Sequence, residues 1–128
     1  MEKQIWDFLK QEGFNDYAAA GLMGNLYAES GLNPKNLENI YNTKLEYSDE
    51  EYTRAVDNGS YENFINDSAG YGLAQWTYYT RKRNLYNFAK NMNCSIGNLE
   101  MQLSFLINEL KNNYTNSVYK VLLNASSL

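Results

Sequence analysis

The chain has no histidine, one cysteine and one proline among its 128 residues. The first absence removes whole reaction classes: a Ser-His-Asp triad, a Cys-His dyad and a His-ligated zinc ion all need an imidazole. Cys94 has no second cysteine to pair with inside the chain, and with no histidine to activate it, it reads as a structural or free thiol. Basic residues are outnumbered, 11 Lys and Arg against 15 Asp and Glu, for a net charge of −4. A nucleic-acid module normally carries a basic face, so no nucleic-acid partner is expected. No stretch approaches the ~18 apolar residues of a membrane-spanning helix, so no membrane insertion is expected either. The opening Met1-Glu2-Lys3-Gln4-Ile5-Trp6 lacks the apolar core of a secretory signal, and the chain reads as made in the cytoplasm without one.

What is present fits a single globular domain. The length is one domain's worth, and 44% hydrophobic residues argue against disorder. Tyrosine is abundant, at 12 residues. Exposed Tyr and Asn would suit a sugar ligand, one by stacking and the other by hydrogen bonding. The apolar spacing predicts helices over 2–12, 15–30, 49–57, 78–91, 96–112 and 115–124. Asn15 is expected to cap the second and Gly31 to end it. Ser48 with Glu51 forms a capping box for the third, and Ser95 is expected to cap the long helix from 96. Residues 31–47 read as loop, and 60–76 as loop or a small hairpin. Arg81-Lys82-Arg83 reads as a solvated helix face. The fold class is therefore mainly α, with a long loop or small β element forming one wall of a cleft. Residues 1–124 make one domain, and 125–128 read as the start of a linker to a further module.

Glu29 breaks a local rule. It lies in the last turn of a helix, at the negative end of the macrodipole, where cations are favoured. A helical wheel puts it at the edge of the stripe Ala19, Leu22, Met23 and Leu26. Half-desolvation and the dipole both disfavour the charged form, so both are expected to raise its pKa, as a general acid requires. The alternative is a surface glutamate paired with Lys35. A second stretch, "NDSAGYGLAQWT" over 66–77, combines turn-permitting Gly70 and Gly72 with Gln75 and Trp76. Polar and aromatic groups together suit a sugar; the alternative is a hairpin around a buried Trp76.

Taken together, "GLMGNLYAESGLNP" and the later "GYGLAQWT" resemble the phage tail lysozyme family of the lysozyme superfamily. The resemblance extends over nearly the whole chain, including "GFNDYAAAGLMGNL" and "LEMQLSFLINEL". It is more distant to the "ES…GLMQ" pattern of lytic transglycosylases and goose-type lysozymes, because Ala74 stands where transglycosylases have Met. The resemblance implies a lysozyme-like domain that cleaves the glycan strand of peptidoglycan, with Glu29 as general acid and no cofactor or metal. It makes Gln75 a cleft-lining residue, and Ser30, Tyr71 and Trp76 further candidates for substrate contact. A glycosidase needs only carboxylates, which agrees with the missing histidines. Glu38, Glu46, Asp57, Glu62 and Asp67 are the candidates for a second carboxylate. Asp67, immediately before the Gly-rich segment, is preferred, although an Asx-turn would also explain it. Without a signal peptide, the enzyme is expected to reach the wall after release from the host cytoplasm or on a phage particle. A wall-binding domain or tail component would then be its partner. The tripeptide Arg81-Lys82-Arg83 would be available to anionic wall polymers. A lytic transglycosylase using the same Glu29 and a non-catalytic wall-binding or tail structural module are the alternatives.

Overall fold

The computed structural model describes residues 1–113 and 119–125, the side chain of Asn113 excepted. Among these it has seven helices: α1 Glu2–Gln11, α2 Asp16–Ser30, α3 Asn39–Leu45, α4 Asp49–Asp57, α5 Tyr79–Asn91, α6 Leu99–Asn113 and α7 Lys120–Leu123. The fold is mainly α, as the apolar spacing implies.

Several helix ends follow directly from side-chain chemistry. Asn15 Oδ1 accepts the Ala18 N–H at 2.9 Å and opens α2. Gly31, in the left-handed region at φ 63°, closes it, and its N–H returns to the Tyr27 carbonyl at 2.8 Å. Both bonds of the Ser48–Glu51 capping box are present, at 2.9 and 3.1 Å, and α4 begins at Asp49 as expected.

Two expectations fail for identifiable reasons. Residues 39–45 form α3 where a loop was expected; the segment is short and buries none of its residues, so it has no apolar stripe to reveal it. The long helix starts at Leu99, three residues later than expected. Asn98 does the capping, its Oδ1 accepting the Met101 N–H at 2.8 Å. Ser95 instead donates to Asp57 Oδ2 at 2.5 Å and accepts the Gly97 N–H at 3.0 Å, which shapes the preceding turn. The final helix is described only over Lys120–Leu123, with Val121 exposed. Its expected start at 115, and most of the expected linker at 125–128, lie outside the described residues.

One hydrophobic core runs through the described chain. Ile5 and Leu9 of α1, Ala19, Leu22 and Leu26 of α2, Leu85 and Ala89 of α5 and Met101, Leu103 and Phe105 of α6 all belong to it. The segment between α4 and α5 contributes Phe64, Ala69, Tyr71, Leu73 and Trp76, so the long connection is itself core-anchored. The expected small β element reduces to two isolated antiparallel bridges, Leu37 with Tyr71 and Tyr71 with Trp76. The first fastens the stretch following α2 to the Gly-rich segment, and the second closes that segment on itself. No helix among the described residues is long and apolar enough to cross a membrane.

Candidate active site

Glu29 occupies the last turn of α2, which holds no basic residue to offset the negative end of the helix dipole. Its side chain is exposed, and among the described residues it has no hydrogen-bond or ion-pair partner. The half-desolvated position expected from the helical wheel is not observed. The buried stripe of α2 continues from Leu22 and Leu26 to Ser30, and Glu29, one residue or about 100° earlier around the helix, faces outward. Lys35 does not pair with it; its ammonium lies 3.0 Å from Glu50. Ser30 is buried, and its hydroxyl donates to the Leu26 carbonyl at 3.0 Å, closing the helix rather than facing a ligand.

Tyr71 and Trp76 are each 0% exposed, which leaves no ring face for a sugar. Their polar atoms are also occupied. The Tyr71 and Thr53 hydroxyls share a hydrogen bond at 2.6 Å, and the Trp76 indole N–H donates to Glu109 at 2.9 Å. Glu109 is held in turn by both ends of the Arg81 guanidinium, at 3.0 and 2.8 Å. Both rings are therefore part of the core, and the buried-Trp alternative is the one observed. Exposed aromatic surface follows Trp76 in the chain: Tyr78 is 63% and Tyr79 48% exposed, with ring centroids 4.9 Å apart. With Ile65, Asn66, Ser68 and Thr77 they line a pocket of about 370 Å³.

Gln75 ties the Gly-rich segment to Asn36, two residues beyond the first motif. Its amide nitrogen donates towards the Asn36 carbonyl at 2.9 Å, Asn36 Oδ1 at 3.1 Å and the Gly72 carbonyl at 3.0 Å. Three acceptors around one nitrogen fix the orientation of the amide. Its backbone sits at φ 50°, a left-handed conformation that costs a non-glycine residue about 1–3 kcal/mol and recurs at functional sites.

Asp67 is not free to act on a substrate. Its side chain is 3% exposed and is ion-paired to Lys82, itself 0% exposed, at 2.5 Å. Tyr52 and Tyr61 donate to its Oδ2 at 2.6 and 2.9 Å, and the Ala69 N–H donates to Oδ1 at 2.9 Å. The last bond is the Asx-turn that was the alternative to a second-carboxylate role. All the acceptor capacity of the carboxylate is thus spent on the fold. Lys82 is saturated as well, with donations to Tyr52 at 3.2 Å and the Ala69 carbonyl at 2.8 Å, and the Phe64 ring centroid 4.2 Å away. Burial pushes the Lys82 ammonium below the ordinary lysine range, against the pull of Asp67. Burial likewise raises the Tyr52 and Tyr61 phenols, with Asp67 adding to the effect.

The basic run is therefore not a solvated face: Arg81 binds Glu109, Lys82 is core, and Arg83 alone is exposed. The signal was available, since Lys82 stands three residues before Leu85 and seven before Ala89, in phase with the buried stripe of α5. Gln102 was also missed. It is 0% exposed, donates to the Pro34 and Ile96 carbonyls at 2.7 Å each, and accepts the Leu73 N–H at 2.9 Å. One side chain thus joins three loops that are distant in sequence.

The sequence profile of a family described as phage tail lysozyme matches residues 1–128, the full length of the chain, and the chain belongs to that family. At the level of the family it is a lysozyme-like protein acting on the bacterial cell wall.

Proposed function

With that membership as premise, we propose that the chain is a glycoside hydrolase that cuts the glycan strand of peptidoglycan with Glu29 as general acid. The observation that carries this is the placement of Glu29. It is an exposed carboxyl at the negative end of α2 with no hydrogen-bond or ion-pair partner among the described residues, and seven residues after it Asn36 is fastened to Gln75 of the second motif. A bound glycan would cover the Glu29 carboxyl, which the protein alone leaves exposed, and exclude water from it. Glu29 then gives its proton to the glycosidic oxygen as the bond to the anomeric carbon breaks. The Tyr78–Tyr79 pair offers the apolar face on which a sugar ring can rest. The wall is reached after release from the host cell or on the phage particle.

Clearing of purified walls by the wild type and by Glu29→Gln tests the reading. Loss of one general acid should slow clearing by about 10²–10⁴-fold with the circular dichroism spectrum unchanged. A non-catalytic wall-binding or tail structural module would leave the two proteins alike. Mass spectrometry of the products should show free reducing ends; anhydro ends would assign a transglycosylase.

A further inference from the structure

Asparagine normally serves caps and turns, because its short amide competes with the backbone of a helix interior. Several asparagines of this chain follow that rule. Asn15 and Asn98 cap α2 and α6, and Asn33 and Asn58 accept the Lys35 and Ser60 N–H groups in turns, at 2.9 and 2.8 Å. Five others do not. Asn84, Asn87 and Asn91 stand on α5 and Asn108 and Asn112 on α6, all of them exposed. Exposed helix positions are ordinarily filled by better helix formers such as Ala, Glu, Lys or Gln. Among the described residues the Asn84, Asn87 and Asn91 side chains make no hydrogen bond. A local preference set aside with no contact to the fold in its place is expected at a functional site.

The five amides line one groove. Their spacings, i, i+3, i+7 on α5 and i, i+4 on α6, put each set on one face of its helix. Together they line a groove of about 290 Å³. Phe88, half-buried, and Phe105 line it as well, with ring centroids 5.4 Å apart. The one charged residue of the lining, Glu109, is already held by the Arg81 guanidinium at 3.0 and 2.8 Å and by the Trp76 indole N–H at 2.9 Å. Asn112 donates to Asn108 Oδ1, which leaves the Asn108 amide nitrogen and the Asn112 carbonyl for a ligand. The lining thus offers donors beside acceptors, some apolar surface and no unneutralised charge. Its volume is close to the roughly 300 Å³ at which small-ligand sites begin. The groove shares no residue with the pocket of Tyr78 and Tyr79.

We propose that this groove is an accessory binding site for the uncharged, N-acetylated glycan of the bacterial wall, additional to the surface where the strand is cut. A sugar ring has apolar faces and hydroxyl edges. Its acetamido group adds an amide, which a side-chain amide can both donate to and accept from. The asparagines match those edges, and Phe88 offers apolar surface to the face. Wall peptides fit less well: they carry free carboxylates, and no unpaired cation lines the groove. The proposal draws on the action of the family on the cell wall and not on the role of Glu29. Its consequence is retention. A chain held by a second contact stays on the wall between cuts, which raises its effective concentration for the next one.

The test is a titration of the whole wild-type chain with triacetylchitotriose, an uncharged N-acetylglucosamine trisaccharide, followed by NMR of the asparagine side-chain amides. The signals of Asn84, Asn87 and Asn91 should shift and saturate together. A chain carrying Asn84→Ala, Asn87→Ala and Asn91→Ala should melt no lower than the wild type, since alanine favours a helix. In a sedimentation assay on ice, it should bind purified walls about 10–100-fold more weakly, as expected for the loss of several hydrogen bonds. The titration uses the wild type and so does not depend on how the variant folds. Groove signals that stay unmoved overturn the proposal. Shifts confined to residues around Tyr78 and Tyr79 overturn it too, and leave the reading of the cutting site standing. Groove signals moved by a free wall peptide and not by the trisaccharide assign the groove to peptide and overturn the choice of glycan. A folded variant that holds the wall as tightly as the wild type also overturns the proposal.

Discussion

At the scale of single residues, the same chemistry serves opposite ends in two carboxylates. Glu29 has no partner among the described residues, whereas every acceptor position of Asp67 is filled. A buried pair resists removal of one member far more than removal of both, because a lone charge is left without water or partner. Asp67→Asn should therefore cost about 3–5 kcal/mol of stability, read as a lowered urea midpoint. The double variant Asp67→Asn with Lys82→Met should recover part of that loss, since no unpaired ammonium remains. A single variant as stable as the wild type would contradict the assignment of Asp67 to the fold. On the ligand side, Tyr78→Ala and Tyr79→Ala should raise KM for glycan strands more than they lower kcat, because stacking is available to ground and transition states alike. Unchanged KM in both variants would remove this pair from the sugar-binding surface.

At the scale of elements, the loops between α2 and α5 are held by side chains more than by backbone pairing. Gly72 shows how tightly. It sits at φ 84°, and a Cβ there would meet the Gln102 amide at 2.9 Å. Gly72→Ala combines backbone strain with overpacking and should lower stability by about 1–3 kcal/mol in a thermal or urea melt. Asn98→Ala should cost about 0.5–2 kcal/mol by uncapping α6. These elements also mark what the sequence discloses and what it does not. The ends of α2 and α4 were legible because Asn15, Gly31, Ser48 and Glu51 act within a few residues of themselves. The start of α6 was not, since Ser95 and Asn98 are both good caps and the choice fell to a contact with Asp57, 38 residues away. Glu29 was recognisable as a candidate from its helix position. The burial of Tyr71 and Trp76, and the pairing of Asp67 with Lys82, depend on how distant segments pack, which no local pattern encodes. The one local clue was a lysine in phase with an apolar stripe.

At the scale of the whole molecule, the polar interior sets an alkaline limit. Tyr52, Tyr61 and Tyr71 all have raised phenol pKa values, with burial the largest cause in each. Above pH 10, the ordinary phenol value, an unfolded chain releases protons that the fold retains, so stability falls as pH rises. Lys82 acts in the opposite sense, since its folded value is lowered; its contribution rises with pH only up to 10.5, the unfolded value. Beyond that Lys82 adds nothing further, and the fall set by the tyrosines continues. Tyrosinate absorbance from these three residues should therefore appear together with the loss of helical circular dichroism, in one cooperative step. Complete ionisation of all tyrosines with the dichroism intact would contradict their burial. The functional reading of the molecule turns on one carboxyl group, that of Glu29. Its most direct test is the rate of reducing-end release from purified peptidoglycan by Glu29→Gln against wild type, at matched folded concentration. A fall of about 10²–10⁴-fold is the predicted result. Equal rates would show that the bond is broken elsewhere in the chain, or not by this chain.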